Sequence, residues 1–197
     1  MKKQVIGITG GIGCGKSVVM SILEETYGAY VLLSDLVGHE LMAPGQVNYN
    51  GIVKAFGTDV LLENGQIDRK KLGSIVFGNP EKLSLLNSIT HPNIMLEIKR
   101  CIDAAMADPA YHMVCLDSAL LFDTELVDYC DQTWYVYAKE EVRIERLIEG
   151  RGYTREYCEM VMTKQKGSDL YREKADVIID NSDDMESTKA QIAHLLK

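Results

Sequence analysis

The chain has 197 residues, with 21 Lys and Arg against 29 Asp and Glu, and 46% of its residues are hydrophobic. A chain of this length buries roughly 70% of the surface its unfolded form exposes, so it suits one soluble domain and excludes the small scaffolds that need disulfides or a structural metal. Four prolines and 25% charged residues argue against disorder, no apolar run approaches the ~20 residues of a membrane span, and a formal charge of −8 argues against a nucleic acid held by general charge.

A phosphate-rich ligand would therefore need a local positive site. The cysteines, at positions 14, 101, 115, 130 and 158, are odd in number and separated by at least 13 residues, which leaves no CxxC pair and reads as reduced thiols. Met1-Lys2-Lys3 leads into only six residues before the glycine-rich stretch, too short for the apolar part of a signal peptide, so a cytoplasmic location and no membrane partner are expected.

Apolar periodicity predicts short strands alternating with longer helices. Val5 to Thr9 reads as a buried strand, and Ser17 to Thr26 as a helix with Val18, Ile22 and Leu23 on one face. Tyr30 to Leu33 is a second strand ending at Ser34-Asp35, followed by a helix from Leu36 to Met42 that Pro44-Gly45 stops. From Gln46 to about Asp108 the signals turn helical: Tyr49 to Phe56, Lys70 to Phe77, Glu81 to Ile89, and Pro92 to Met106 with proline in its first turn. Strands resume at His112 to Leu116, Thr133 to Tyr137 and Val177 to Ile179, with helices over Lys139 to Glu149, Thr154 to Lys166 and Asp184 to Leu196. The pattern predicts an α/β protein, a five-stranded parallel sheet covered on both faces in three α/β/α layers. Its core would be residues 1–45 and 109–197, interrupted by a helical insertion over 46–108.

Gly10-Gly11-Ile12-Gly13-Cys14-Gly15-Lys16-Ser17 fits G-x-x-x-x-G-K-[ST] between a predicted strand and a predicted helix, the context that a phosphate loop requires. Glycines let successive N–H groups point at phosphate oxygens, and the following helix adds the positive end of its dipole. Gly11, Ile12, Gly13, Cys14, Gly15, Lys16, Ser17 and Val18 are thus the expected binders of a nucleoside triphosphate. Lys16 would serve the β- and γ-phosphates and Ser17 would ligate Mg²⁺. Cys14, beside Lys16 and a helix N-terminus, is a candidate thiolate or simply a small residue that fits.

Ligand groups in open α/β sheets come from the carboxyl ends of strands, where Asp35 and Asp117 are expected. Asp35 could accept the proton of an attacking hydroxyl, or cap the next helix; Asp117 could hold Mg²⁺ as a Walker-B acid does, or be structural.

At these residues the chain resembles the dephospho-CoA kinases over nearly its whole length. ITGGIGCGKS, at Ile8 to Ser17, is similar to that family's LTGGIGSGKS. Asp35 with Pro44-Gly45, Phe56-Gly57, Ile67-Asp68-Arg69 with Leu72 and Val76-Phe77, and Leu86-Asn87 with His91-Pro92 follow in family order. Leu120-Leu121-Phe122 and the closing run Lys174 to Ile178 with Asn181 complete it. The resemblance implies a P-loop kinase fold with a CoA-substrate insertion over 46–108 and a lid at about 150–172. It implies transfer of the γ-phosphate of ATP to the ribose 3′-hydroxyl of dephospho-CoA, giving coenzyme A and ADP. It also implies Asp35 as catalytic base, Thr9 as a neighbour of the site, and Asn181 at the ATP side. The chain departs from the family in Leu33-Ser34-Asp35, where an Asp-x-Asp is common, and in Ala119, where a proline is usual.

Nine of the 21 basic residues fall between Lys139 and Lys174: Lys139, Arg143, Arg146, Arg151, Arg155, Lys164, Lys166, Arg172 and Lys174. Eight acids accompany them, so this stretch carries +1 and the rest of the chain −9. Arginine suits stacking on adenine or clamping phosphoryl oxygens, although a salt-bridged helix surface is the plainer reading for any one of them. By resemblance Arg146 is the adenine-side lid arginine. The phosphate-side arginine aligns with Gly150, leaving Arg151 to serve as the catalytic one if a loop has begun there, and Val161 stands where the family has a further arginine. His39 could touch the CoA phosphates or be a solvated helix residue; His91 could contact substrate or pack a helix start. Two other functions remain compatible with the residues: a P-loop kinase for another small acceptor, and a nucleotide-binding paralogue without catalysis.

Overall fold

A computed structural model describes residues 3–165 and 168–197. Met1, Lys2 and Lys166, the last a member of the basic set and the end of the helix expected from Thr154, lie outside the described residues. The chain divides into two compact units, Met1–Leu32 with Ile102–Lys197, and Leu33–Cys101.

The first unit is built on strands β1 (Val5–Thr9), β2 (Ala29–Leu33), β3 (Met113–Asp117), β4 (Gln132–Tyr137) and β5 (Val177–Asp180), in the order β2-β3-β1-β4-β5, and the sheet is all parallel. Every residue of β1 is buried, as are four consecutive residues in each of β3 and β4. Such unbroken apolar runs are what strands covered on both faces require. Trp134, Ile6, Ile8, Met113 and Leu116 are fully buried at the centre of this core. Ile8 sits in register with Asp117 on one side and Trp134 on the other, so the carboxyl end of β1 opens between β3 and β4. The connection from β1 runs to β2 on one side of the sheet and that from β4 to β5 on the other, which makes this a topological switch point.

Helix α1 (Lys16–Tyr27) follows β1, and α2 (Ser34–Glu40) follows β2 directly. The second unit then holds α3 (Val47–Phe56), α4 (Arg69–Val76) and most of α5 (Pro80–Ala107). It has its own core of Ile52, Val60, Ile67, Leu72 and Val76. The unit begins earlier than residue 46 because the amides of Asn48 and Tyr49 bond Leu41 O, fastening the end of α2 to the start of α3. Returning to the first unit, the chain forms α6 (Glu140–Arg151), α7 (Arg155–Thr163), α8 (Ser168–Lys174) and α9 (Met185–Leu195). No helix among the described residues is long and apolar enough to cross a membrane.

Three expectations are corrected. Asp35 is not a strand end: β2 stops at Leu33, which takes the N-cap position, and Asp35 lies in the first turn of α2. The two helices expected around Pro92 are one helix of 28 residues with the proline inside it. A mid-helix proline removes an N–H and crowds the carbonyl four residues back. Side chains repair the disturbed turn: Asn93 Nδ2 donates to Ile89 O at 2.9 Å and to Asn48 Oδ1 at 2.8 Å, and Thr90 Oγ1 donates to Leu86 O. Finally, α8 was not foreseen, and the helix expected to run from Thr154 to Lys166 ends at Thr163.

The edge strand β5 is tied to β4 by Asp176, whose Oδ2 accepts from the Thr133 amide at 2.8 Å and the Thr133 hydroxyl at 2.7 Å. These bonds hold the Asp176 carboxyl below its usual range, so its contribution to stability is present above the unfolded value of about 3.9 and is lost as pH falls through the folded one. Asp176→Asn should cost about 1 kcal/mol in urea unfolding at pH 7, modest because the carboxylate is exposed, and the gap from the native protein should narrow below about pH 4. Equal midpoints at pH 7 would contradict this role.

Candidate active site

The phosphate loop spans the gap between β1 and α1, and its shape follows from close contacts more than from flexibility. Gly15 has φ +87° and is the N-cap of α1, which has no side-chain cap and no acid in its first turn. The first-turn amides thus meet no competing anion from their own helix. A side chain at Gly15 would be strained by φ and would stand 2.0 Å from Asn181 Nδ2. Asn181 is the reason: buried beneath the loop, it donates from Nδ2 to Cys14 O at 2.9 Å and accepts from Thr188 Oγ1 at 2.8 Å. Lys16 Nζ donates to Gly10 O at 2.9 Å, an intraloop bond that a phosphate oxygen could replace.

A cavity of about 560 Å³ opens over this loop. It is lined by Gly11, Ile12, Gly13, Gly15, Lys16, Ser17 and Val18, with Asp117 at the end of β3 and Arg146 and Arg151 of α6. Among the described residues Arg146 Nη1, which is buried, has no hydrogen-bond partner, and it lies 3.6 Å from where a Gly15 side chain would begin. A buried guanidinium N–H left unmatched beside the start of α1 is a charged donor that calls for an anionic acceptor. Arg151 does reach the cavity, but from the last residue of α6 with Gly152 as C-cap; the loop expected to begin before it begins only after it. Leu147, one turn earlier, lines the same wall, so Arg151 continues that face.

The other basic residues of this stretch have different duties. Arg155 pairs with Glu141 at 2.8 Å, Arg172 lies 4.3 Å from the centre of the Tyr137 ring, and Lys174 sits over Phe122. Cys14 is buried, and desolvation outweighs the attraction of Lys16, pushing its thiol up rather than down. The reading of Cys14 as a small buried residue therefore prevails over the thiolate.

Ser17 and Asp117 both line the cavity, and a hydroxyl plus one carboxylate is an oxygen-only set suited to Mg²⁺, which keeps waters and phosphate oxygens as its remaining ligands. Among the described residues no group of three or more His, Cys, Asp or Glu could hold a metal alone. Thr9 and Asn181 do not line the cavity; Thr9 is fully buried, and among the described residues its Oγ1 has no hydrogen-bond partner. Asp35, His39 and His91 belong to the second unit, all exposed, with Asp35 and His39 four residues apart on one face of α2. Gln165 was missed. Its Oε1 accepts from the Ile12 amide at 3.2 Å, and no local pattern marks a glutamine just past a helix end as a neighbour of residue 12.

Comparison with known proteins agrees with this geometry. The model of the family described as "CoaE: Dephospho-CoA kinase" matches residues 4–187. A dephospho-CoA kinase from Carboxydothermus hydrogenoformans is 40% identical over 193 residues, covering 98% of this chain and 93% of that protein. The crystal structure of TT1252 from Thermus thermophilus superposes with a TM-score of 0.81 at 26% identity, covering 100% and 97% of the two chains. A shikimate kinase from Acinetobacter baumannii, 16% identical with a TM-score of 0.52 and covering 98% and 93%, shares the fold alone.

Gly15→Ala should weaken ADP binding at least about tenfold in a calorimetric titration, since the new methyl group and Asn181 cannot both keep their places. Native affinity in that variant would show that Asn181 does not set the shape of the loop.

Proposed function

Because this chain belongs to the dephospho-CoA kinase family, we propose that it transfers the γ-phosphate of ATP to the ribose 3′-hydroxyl of dephospho-CoA, giving coenzyme A and ADP. The observation that best supports the donor half is the unmatched Arg146 guanidinium facing a cavity floored by the phosphate loop. No observation favours another acceptor or a non-catalytic paralogue.

Phosphoryl transfer asks the protein for positioning and charge stabilisation rather than covalent chemistry. In this reading the loop amides of residues 13–18 hold the phosphates, and Lys16 gives up Gly10 O for the β- and γ-oxygens. Arg151 neutralises charge as the phosphoryl group moves, and Arg146, the adenine-side arginine by resemblance, binds ATP, Arg's planar fork fitting both for these tasks. Ser17 and Asp117 would hold Mg²⁺, which supplies further neutralisation of the triphosphate when bound. Asp35 serves as the base that receives the proton of the attacking hydroxyl. Exposed on the second unit, His39 and His91 offer donors for an anionic substrate, and Thr9 and Asn181 support the site from beneath. The helical unit is the CoA-substrate domain, the segment at about 150–172 the lid, and the cytoplasm the place where this chemistry is expected.

ADP release with ATP and Mg²⁺ should rise when dephospho-CoA is added, with coenzyme A as the product. Asp35→Asn should lower kcat at least about 100-fold while changing ATP affinity less than about threefold. No stimulation by dephospho-CoA would overturn the acceptor, and an active Asp35→Asn would overturn the base.

A further inference from the structure

The peptide groups on both sides of Ile12 are held by side chains from distant parts of the chain. Arg143, on α6, donates from Nε to Ile12 O at 2.8 Å. Gln165, just beyond α7, accepts through Oε1 from Ile12 N–H at 3.2 Å and from Arg143 Nη2 at 2.8 Å. The three residues close a ring of hydrogen bonds in which each member fixes the next.

Two further contacts converge on the same residue. The Ile12 side chain packs against the cluster of Ile144, Leu147 and Cys158 that joins α6 to α7. Gly11, whose φ is not in the left-handed region, is required for a different reason: a side chain there would stand 2.6 Å from Arg143 Nη2 and 2.8 Å from Gln165 Oε1. Residue 12 is therefore anchored by its N–H, its C=O and its side chain, and residue 11 is bare so that the two polar groups can lie across the loop.

We infer that Arg143 and Gln165 are positioning residues for phosphoryl-donor binding, presetting the first half of the phosphate loop from α6 and the end of α7. A flexible glycine-rich loop loses conformational entropy when it closes on a phosphate, and a loop already held loses less. Arg143 acts here through its fork, which reaches Ile12 O and Gln165 Oε1 together; a lysine ammonium keeps the charge but not that planar pair of bonds. The inference rests on ATP being the donor, as proposed above.

The test is ADP affinity by calorimetry together with steady-state kinetics for Arg143→Lys, Gln165→Met and the double variant. Each single change should raise the ADP Kd and the ATP KM about tenfold, with kcat within about threefold, KM for dephospho-CoA within about twofold and Tm close to native. The double variant should be little worse than either single one, because both break the same ring. Native ATP KM in both single variants would overturn the inference. Independent, multiplying effects would overturn it as well. Tighter ATP binding by Gln165→Met would do the same, since Gln165 would then compete with phosphate rather than hold the loop. A native enzyme that binds ADP but leaves dephospho-CoA unphosphorylated would refute the proposed acceptor, while ADP affinity in the variants would still decide the role of Arg143 and Gln165.

Discussion

The first unit depends on how the six residues between β1 and α1 are held in one shape. A protein of charge −8 can hold a triphosphate only where positive potential is concentrated, and here it comes from oriented amides, an uncapped helix start and three cations around one cavity. Those amides are useful only while they point the right way. The surrounding structure fixes them from several directions: Asn181 holds Cys14 O from below, Lys16 holds Gly10 O from within, and Ile12 is fastened to the α6–α7 pair. Asn181 is in turn held by Thr188 of α9. The last strand and helix of the chain therefore support a loop formed from its first residues.

The same logic explains the glycines. Gly15 needs its left-handed backbone and the space that Asn181 occupies, whereas Gly11 makes room for Arg143 and Gln165. One residue type meets two constraints, and only the left-handed backbone of Gly15 is local to the motif.

That difference marks how far the sequence could be read. All five strands were legible because β1, β3 and β4 are unbroken apolar runs, and the loop was legible because its motif lies between a strand and a helix. Arg146 was legible as one of a cluster of bases. Pro92 misled because helix rupture is the usual consequence of proline, and the repair by Asn93 and Asn48 depends on a residue 45 positions away. Arg151 was expected to need a loop beginning at its position, but the cavity wall extends over a full turn of helix from Leu147. Gln165 could not be found, because its partners lie 153 and 22 positions away and its own neighbourhood carries no pattern.

Family membership and geometry meet at the donor side, and the roles given to the second unit and to Asp35 at the acceptor side are proposals. The central physical claim is that phosphate is bound chiefly by backbone amides of the loop, not by a diffuse basic surface. Amide resonances of ¹⁵N-labelled protein, followed while ADP is added, test it most directly. Residues 13–18 should show the largest proton shifts, moving downfield as each N–H meets a phosphate oxygen. Shifts centred on the exposed basic residues Arg155, Arg172 and Lys174, with the loop amides unmoved, would contradict it.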